Sequence, residues 1–206
     1  MLAVKLPCSS TVEILTLDRE SSVALPPGIP ATDEEVEHIL LRRLQKDVAE
    51  LTETLWQLYQ FYDGLGRNEL CAGLVDMIIQ YCTDHEDRAY CHLIAGQLAE
   101  KSQKYDRALE YYARGIELKP SEKRTAYFLY NNTAHCLNQQ GRYAEAERNC
   151  RLAIDIEPQV ANAFKNLGVS LAGQQDTAGA FRAHIDALRR LYEPNPYQNP
   201  YRRRRS

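Results

Sequence analysis

The sequence predicts an all-α fold, a solenoid of short antiparallel helix pairs stacked one against the next. Two observations carry that expectation. Small residues recur at a long, nearly constant interval, and prolines and glycines punctuate each interval at matching places. A third supports it: between these marks the apolar residues are spaced for helices, and the chain's 44% hydrophobic and 26% charged residues suit an ordinary packed core.

Taken in order, the first segment is an arm, residues 1–31, in which Pro7, Pro26, Pro27, Gly28 and Pro30 exclude a helix. Thr32 with Glu35 three residues on reads as a capping box that opens a long helix. In it Leu41, Leu44, Val48, Leu51, Leu55, Leu58 and Tyr62 step by three and four, a short heptad seam. One reading of this 41–62 seam is dimerisation. The other folds its first half over the following helices and makes its second half the opening helix of a degenerate unit. That unit, within 32–88, would use Trp56, Tyr59, Ala72 and Ile79, with Gln60 at the helix crossing and Gly64-Leu65-Gly66 as its turn.

Three clear units follow, at 89–120, 127–158 and 161–194. They align through Gly96, Ala108, Tyr112, Gly115 and Pro120, then Ala134, Ala146, Cys150, Ala153 and Pro158, then Gly168, Ala180, His184 and Ala187. The interval is 34 residues from 146 to 180 and 38 from 108 to 146, which places four extra residues within Ser121 to Ala126. Gly or Ala is required where two helix backbones cross closely, and proline ends the second helix of a pair. Tyr105 and Tyr143 open second helices, and with Tyr112 they are expected to fill gaps between units. Gly141-Arg142-Tyr143 and Gly173-Gln174-Gln175-Asp176 are expected turns. No further helix is expected after the third unit. Its last helix should therefore carry a polar outer face, for which Arg182, Asp186, Arg189 and Arg190 are available. Residues 195–206 hold Pro196 and Pro200 and end in Arg202-Arg203-Arg204-Arg205, a basic tail.

The interval and its small-residue signature resemble the tetratricopeptide repeat (TPR) over roughly residues 53–193. The resemblance implies a right-handed superhelix whose first helices line a concave face that holds a protein or peptide partner. Projected onto that face are Tyr90, Leu93, Ile94, Gln97 and Lys101, then Phe128, Asn131, Asn132, His135, Asn138 and Gln139, then Asn162, Lys165, Asn166 and Val169. Asn132 and Asn166 stand 34 residues apart, and a carboxamide both donates and accepts, so the pair could track the backbone of an extended peptide. In this it is similar to the asparagine ladder of O-linked N-acetylglucosamine transferase. The lysines and arginines that a carboxylate clamp for chaperone C-termini needs are missing around Asn132. Tyr90, Leu93, Ile94 and Phe128 form an apolar patch instead, suited to hydrophobic anchors.

Function classes can be narrowed further. His38, His85, His92, His135 and His184 show no metal-ligand spacing, no phosphate-binding loop occurs, and Asp84-His85-Glu86-Asp87 reads as a solvated cluster between units. No catalysis, cofactor or metal is expected. A formal net charge of -3 favours neither nucleic acid nor membrane, and no apolar stretch is long enough to cross a bilayer. Six cysteines without a Cys-x-x-Cys pair read as reduced packing residues, in keeping with a cytoplasmic chain. The expected function is an interaction scaffold with an extended partner segment in its groove. The alternative is a dimeric assembly factor, or a chaperone resembling the small bacterial secretion chaperones, acting through the long helix.

Overall fold

The computed structural model describes residues 51–192, together with Thr32 and Glu37. Among them run eight helices and no strand: α1 (Leu51–Gly64), α2 (Asn68–Tyr81), α3 (His85–Lys101), α4 (Tyr105–Glu117), α5 (Lys123–Gln139), α6 (Tyr143–Ile156), α7 (Ala161–Gly173) and α8 (Thr177–Tyr192). Each odd helix packs antiparallel on the even helix after it, and each pair stacks on the next, giving a right-handed superhelical α-solenoid of four units.

The repeat is written into the backbone as well as the side chains. Gly66, Gln103, Gly141 and Gln175 all have φ between +57° and +74°, and each sits between the two helices of its unit. Five residues on from each lies a buried small residue, Cys71, Ala108, Ala146 and Ala180. This equivalence corrects one expectation and sharpens another. In the first unit the crossing belongs to Cys71 and Tyr59, not to Ala72 and Gln60. Cys71 is fully buried with its thiol against the Tyr59 carbonyl at 3.7 Å, while Gln60 is exposed. In the last unit the left-handed turn residue is Gln175. Gly173 is helical and is small because the ring of Tyr143 lies on it, where a Cβ would come within 2.4 Å.

Close crossings explain most of the small residues. A Cβ on Gly96 would meet the Tyr112 ring at 2.2 Å, and one on Gly168 would meet His184 at 2.4 Å. Tyr112 thus fills the crossing of its own unit and, as expected, also reaches the next unit, where the Asn132 amide meets its hydroxyl. Burying a ring of this size removes well over 100 Å² of surface from water, about 2–3 kcal/mol of transfer free energy. Tyr143 does join units, through Gly173.

The four extra residues before the second clear unit become one extra helical turn. α5 has 17 residues where α7 has 13, and its N-cap, Glu122, accepts from the Arg124 and Thr125 amides. The junction ahead of it is held by Glu86 of α3, whose carboxylate accepts from the Ser121 amide and hydroxyl, both at 2.6 Å. Those bonds hold the Glu86 carboxyl below its usual range. Asp84 caps α3 through the Glu86 and Asp87 amides, so two acids of the 84–87 cluster have structural roles. A pocket of about 420 Å³ opens beside the extra turn, between Lys119, Lys123, Tyr130 and Asp155.

Half of the heptad seam is spent inside the chain. Leu55 and Leu58 are buried, and Leu51 and Tyr62 pack against the first core cluster, so this half is the opening helix of the degenerate unit. Glu37 accepts from the Tyr62 hydroxyl. Leu41, Leu44 and Val48, the N-terminal arm and the arginine tail lie outside the described residues.

The outer face of α8 departs from expectation. Phe181 is 67% exposed, Leu188 47%, Leu191 52% and Tyr192 82%, so the end of the stack is apolar, not polar. Arg190 contributes nothing to a polar cap. Its guanidinium turns inward, 3.6 Å from the Phe164 ring centroid and bonded to the Pro158 carbonyl.

Candidate binding groove

The opening helices of the clear units, α3, α5 and α7, lie side by side. The backbones of α3 and α5, and of α5 and α7, approach within 8 Å, whereas α1 and α3 nowhere do. Over three units this sets side chains in rows at the repeat interval, and the rows differ in what they are free to do.

The central row is occupied with building the stack. Asn166 Nδ2 donates to the Asn131 carbonyl at 3.3 Å and to its Oδ1 at 3.1 Å. Asn131 donates to Asn132 Oδ1 at 3.0 Å, and the Asn132 amide reaches the hydroxyl of Tyr112. Two turns on, Asn138 donates to the Asn166 carbonyl, and the Ser170 hydroxyl donates to Asn138 Oδ1 at 2.9 Å. Asn131, Asn138 and Ser170 are buried, with Asn131 only 5% exposed. A buried amide that lost such partners would cost about 1–3 kcal/mol, so these asparagines are held in place by the stack itself. Leu93 is likewise buried among the core residues.

Two flanking rows remain open. One is Tyr90, Phe128 and Asn162, half-buried, half-buried and exposed; the other is Gln97, His135 and Val169, ending 45% exposed. Lys165 is exposed between them at the third unit. Tyr90 leans on Trp56 with ring centroids 6.2 Å apart, and Phe128 stands edge-on to Tyr127 at 5.2 Å. The Trp56 indole N–H has no acceptor among the described residues. Below the second row Glu100, which the sequence reading passed over, gathers three groups: the Tyr112 hydroxyl at 2.8 Å, His135 Nε2 at 3.6 Å and the Cys136 thiol at 3.8 Å. Burial, with Glu100 beside it, pushes the Cys136 thiol up to about 12 and the Tyr112 phenol higher still. The repeat interval could have pointed to Glu100, since it occupies the place that Asn138 fills one unit on.

The class of protein follows from this architecture: a helical-repeat solenoid whose first helices present a concave surface. The tetratricopeptide-repeat (TPR) family model matches residues 89–122 and 129–160, about a third of the chain. Over 80 residues it is 34% identical to RNA polymerase II-associated protein 3 of Xenopus tropicalis, a stretch that spans 39% of this chain and 12% of that protein. Among solved structures, MamA superposes with a TM-score of 0.65 at 17% identity, covering 78% of this chain and 90% of its own. BtubC (BKLC) from P. vanneervenii gives 0.67 at 20% identity, covering 84% and 77%. YrrB, a TPR protein with an unusual peptide-binding site, gives 0.61 at 18% identity, covering 76% and 78%. At such identities these structures share the fold alone. No helix among the described residues is long and apolar enough to cross a membrane.

Proposed function

We propose that this TPR scaffold holds an extended segment of a partner protein along the concave face of α3, α5 and α7. The fold makes the protein an interaction scaffold in general; the groove and its occupant are the specific reading. The observation that carries it is the pair of open rows, Tyr90–Phe128–Asn162 and Gln97–His135–Val169, running alongside a rigid amide core. Aromatic faces at one end suit apolar anchors, and a solvent-exposed Lys165 suits an acidic group at the other. Asn132 and Asn166 act in this reading chiefly by fixing the helices that carry the rows, so their free polar edges make secondary contacts. YrrB supports the choice of a peptide, because it is a peptide-binding TPR protein of the same fold.

The test is an array of extended 12-residue peptides with apolar residues at alternate positions and an acidic or basic end, followed by titration of any that bind. Lys165→Glu and Val169→Asp alter exposed groups and leave the asparagine network whole. Binding of the acidic-ended peptides should weaken about tenfold or more in either variant. Peptides that bind equally well to both variants would place the site elsewhere.

A further inference from the structure

Each second helix of a unit carries a face that the following unit covers, and the repeat interval identifies it residue by residue. In α4 the face is Tyr105, Leu109, Tyr112 and Ile116; in α6 it is Tyr143, Glu147, Cys150 and Ile154. Tyr112 and Cys150 are fully buried, Leu109 and Ile154 pack against the core clusters, and Tyr143 and Glu147 reach Gly173 and Gln174 of the next unit. The same four places in α8 are Thr177, Phe181, His184 and Leu188, and all four are exposed, with Leu191 extending the stripe by a turn. One flank of that stripe carries net positive charge: Arg182 and Arg189 lie about 100° and 80° around the helix from Phe181, with Arg189 also pairing with Asp186 at 3.5 Å.

We infer that this face of α8 is a docking site for an amphipathic α-helix of a partner protein, laid on as a fifth unit's first helix would be, with acidic residues on its Arg182/Arg189 side. A helix is the occupant because a helix is what the chain itself places on this face in each earlier unit. The charge of the flank sets the polarity of that helix. It also argues against the chain's own 193–206 segment, which brings four arginines to an already cationic edge and is broken by Pro194, Pro196 and Pro200. The site is separate from the concave groove, and its occupant is folded where that of the groove is extended.

The experiment is fluorescence anisotropy of the full chain with designed 16-residue helical peptides that share an Ala/Leu stripe and differ only in carrying Glu or Lys along one flank. The Glu peptide should bind, and the Lys peptide about tenfold or more weaker. Phe181→Asp and Leu188→Asp, both at exposed positions, should each abolish binding with the helicity of the chain unchanged, while Lys165→Glu in the groove should leave it intact. Four results would overturn the inference. They are no preference between the peptides, binding insensitive to Phe181→Asp, binding seen only after residues 195–206 are removed, and a chain that sediments as a dimer until Phe181→Asp dissociates it.

Discussion

Gly96 and Gly168 occupy one place in two units, yet substituting them should have different consequences. At both, an added methyl would overlap an aromatic ring, at 2.2 Å and 2.4 Å. Tyr112, the obstacle at Gly96, is fully buried and tied to Glu100 through its hydroxyl, so it cannot yield without breaking that bond. His184, the obstacle at Gly168, is exposed and can swing into solvent. Gly96→Ala is therefore expected to cost about 2–3 kcal/mol and Gly168→Ala under about 1 kcal/mol, read as a difference in urea midpoints at equal slope. Equal losses would show that the methyl is accommodated by backbone movement at both places. The residues of the groove were legible as positions because the 34- and 38-residue intervals put Tyr90, Phe128 and Asn162 in register. Which of them face solvent was not legible. An asparagine has the same formula whether it faces a ligand or bridges two helices, and only the 3.1 Å contact from Asn166 to Asn131 assigns it to the second role.

The turns between paired helices make the corresponding case for elements. Four units demand one left-handed residue each, and glycine supplies it at Gly66 and Gly141, while Gln103 and Gln175 accept φ of 57° and 67°. A side chain in that region costs roughly 1–2 kcal/mol, part of which glycine gives back through the greater freedom of its unfolded chain. Gln103→Gly is expected to raise stability by about 0.5–1 kcal/mol, measured by thermal or urea unfolding, with no change at the groove. A loss of stability would mean that the side chain of Gln103 contributes more than its backbone costs. Glutamine at two turns also explains why the sequence pattern places the crossing of the degenerate unit one residue away from Cys71 and Tyr59. With glycine missing from half of the turns, and Gly64 and Gly66 both available in the first, the sequence offered no unique residue from which to count. Helix ends were readable because Pro120 and Pro158 mark them, and α4 and α6 do end just before, at Glu117 and Ile156. Readable too was the four-residue insertion, though not its form. A turn of helix and a four-residue loop have the same length in sequence, and the Glu122 side chain, capping the Arg124 and Thr125 amides, starts the helix there.

In a stack where each unit touches only its neighbours, stability varies along the axis with the quality of each junction. The first junction differs from the others. The backbones of α1 and α3 nowhere approach within 8 Å, and α2 is latched to α4 by Asp76, which accepts from the Tyr111 hydroxyl at 2.6 Å and pairs with Arg107 at 3.1 Å. Amide hydrogen exchange should therefore be faster in Leu51–Tyr81 than in α3 through α7, with protection in α1 and α2 reduced further by Asp76→Asn. Uniform protection across both regions would make the solenoid a single cooperative block. Cysteine placement turns that difference into something that can be timed. Cys71, Cys91 and the pair Cys136 and Cys150 are wholly buried in the first, second and third units of the stack, and burial pushes the thiols of Cys136 and Cys150 up to about 12. A thiol so buried and so weakly acidic does not react with an alkylating reagent until its own level parts, and then it reacts irreversibly. The chain thus carries a set of chemical clocks at known heights, and the order in which they are stopped is a record of where the solenoid opens first.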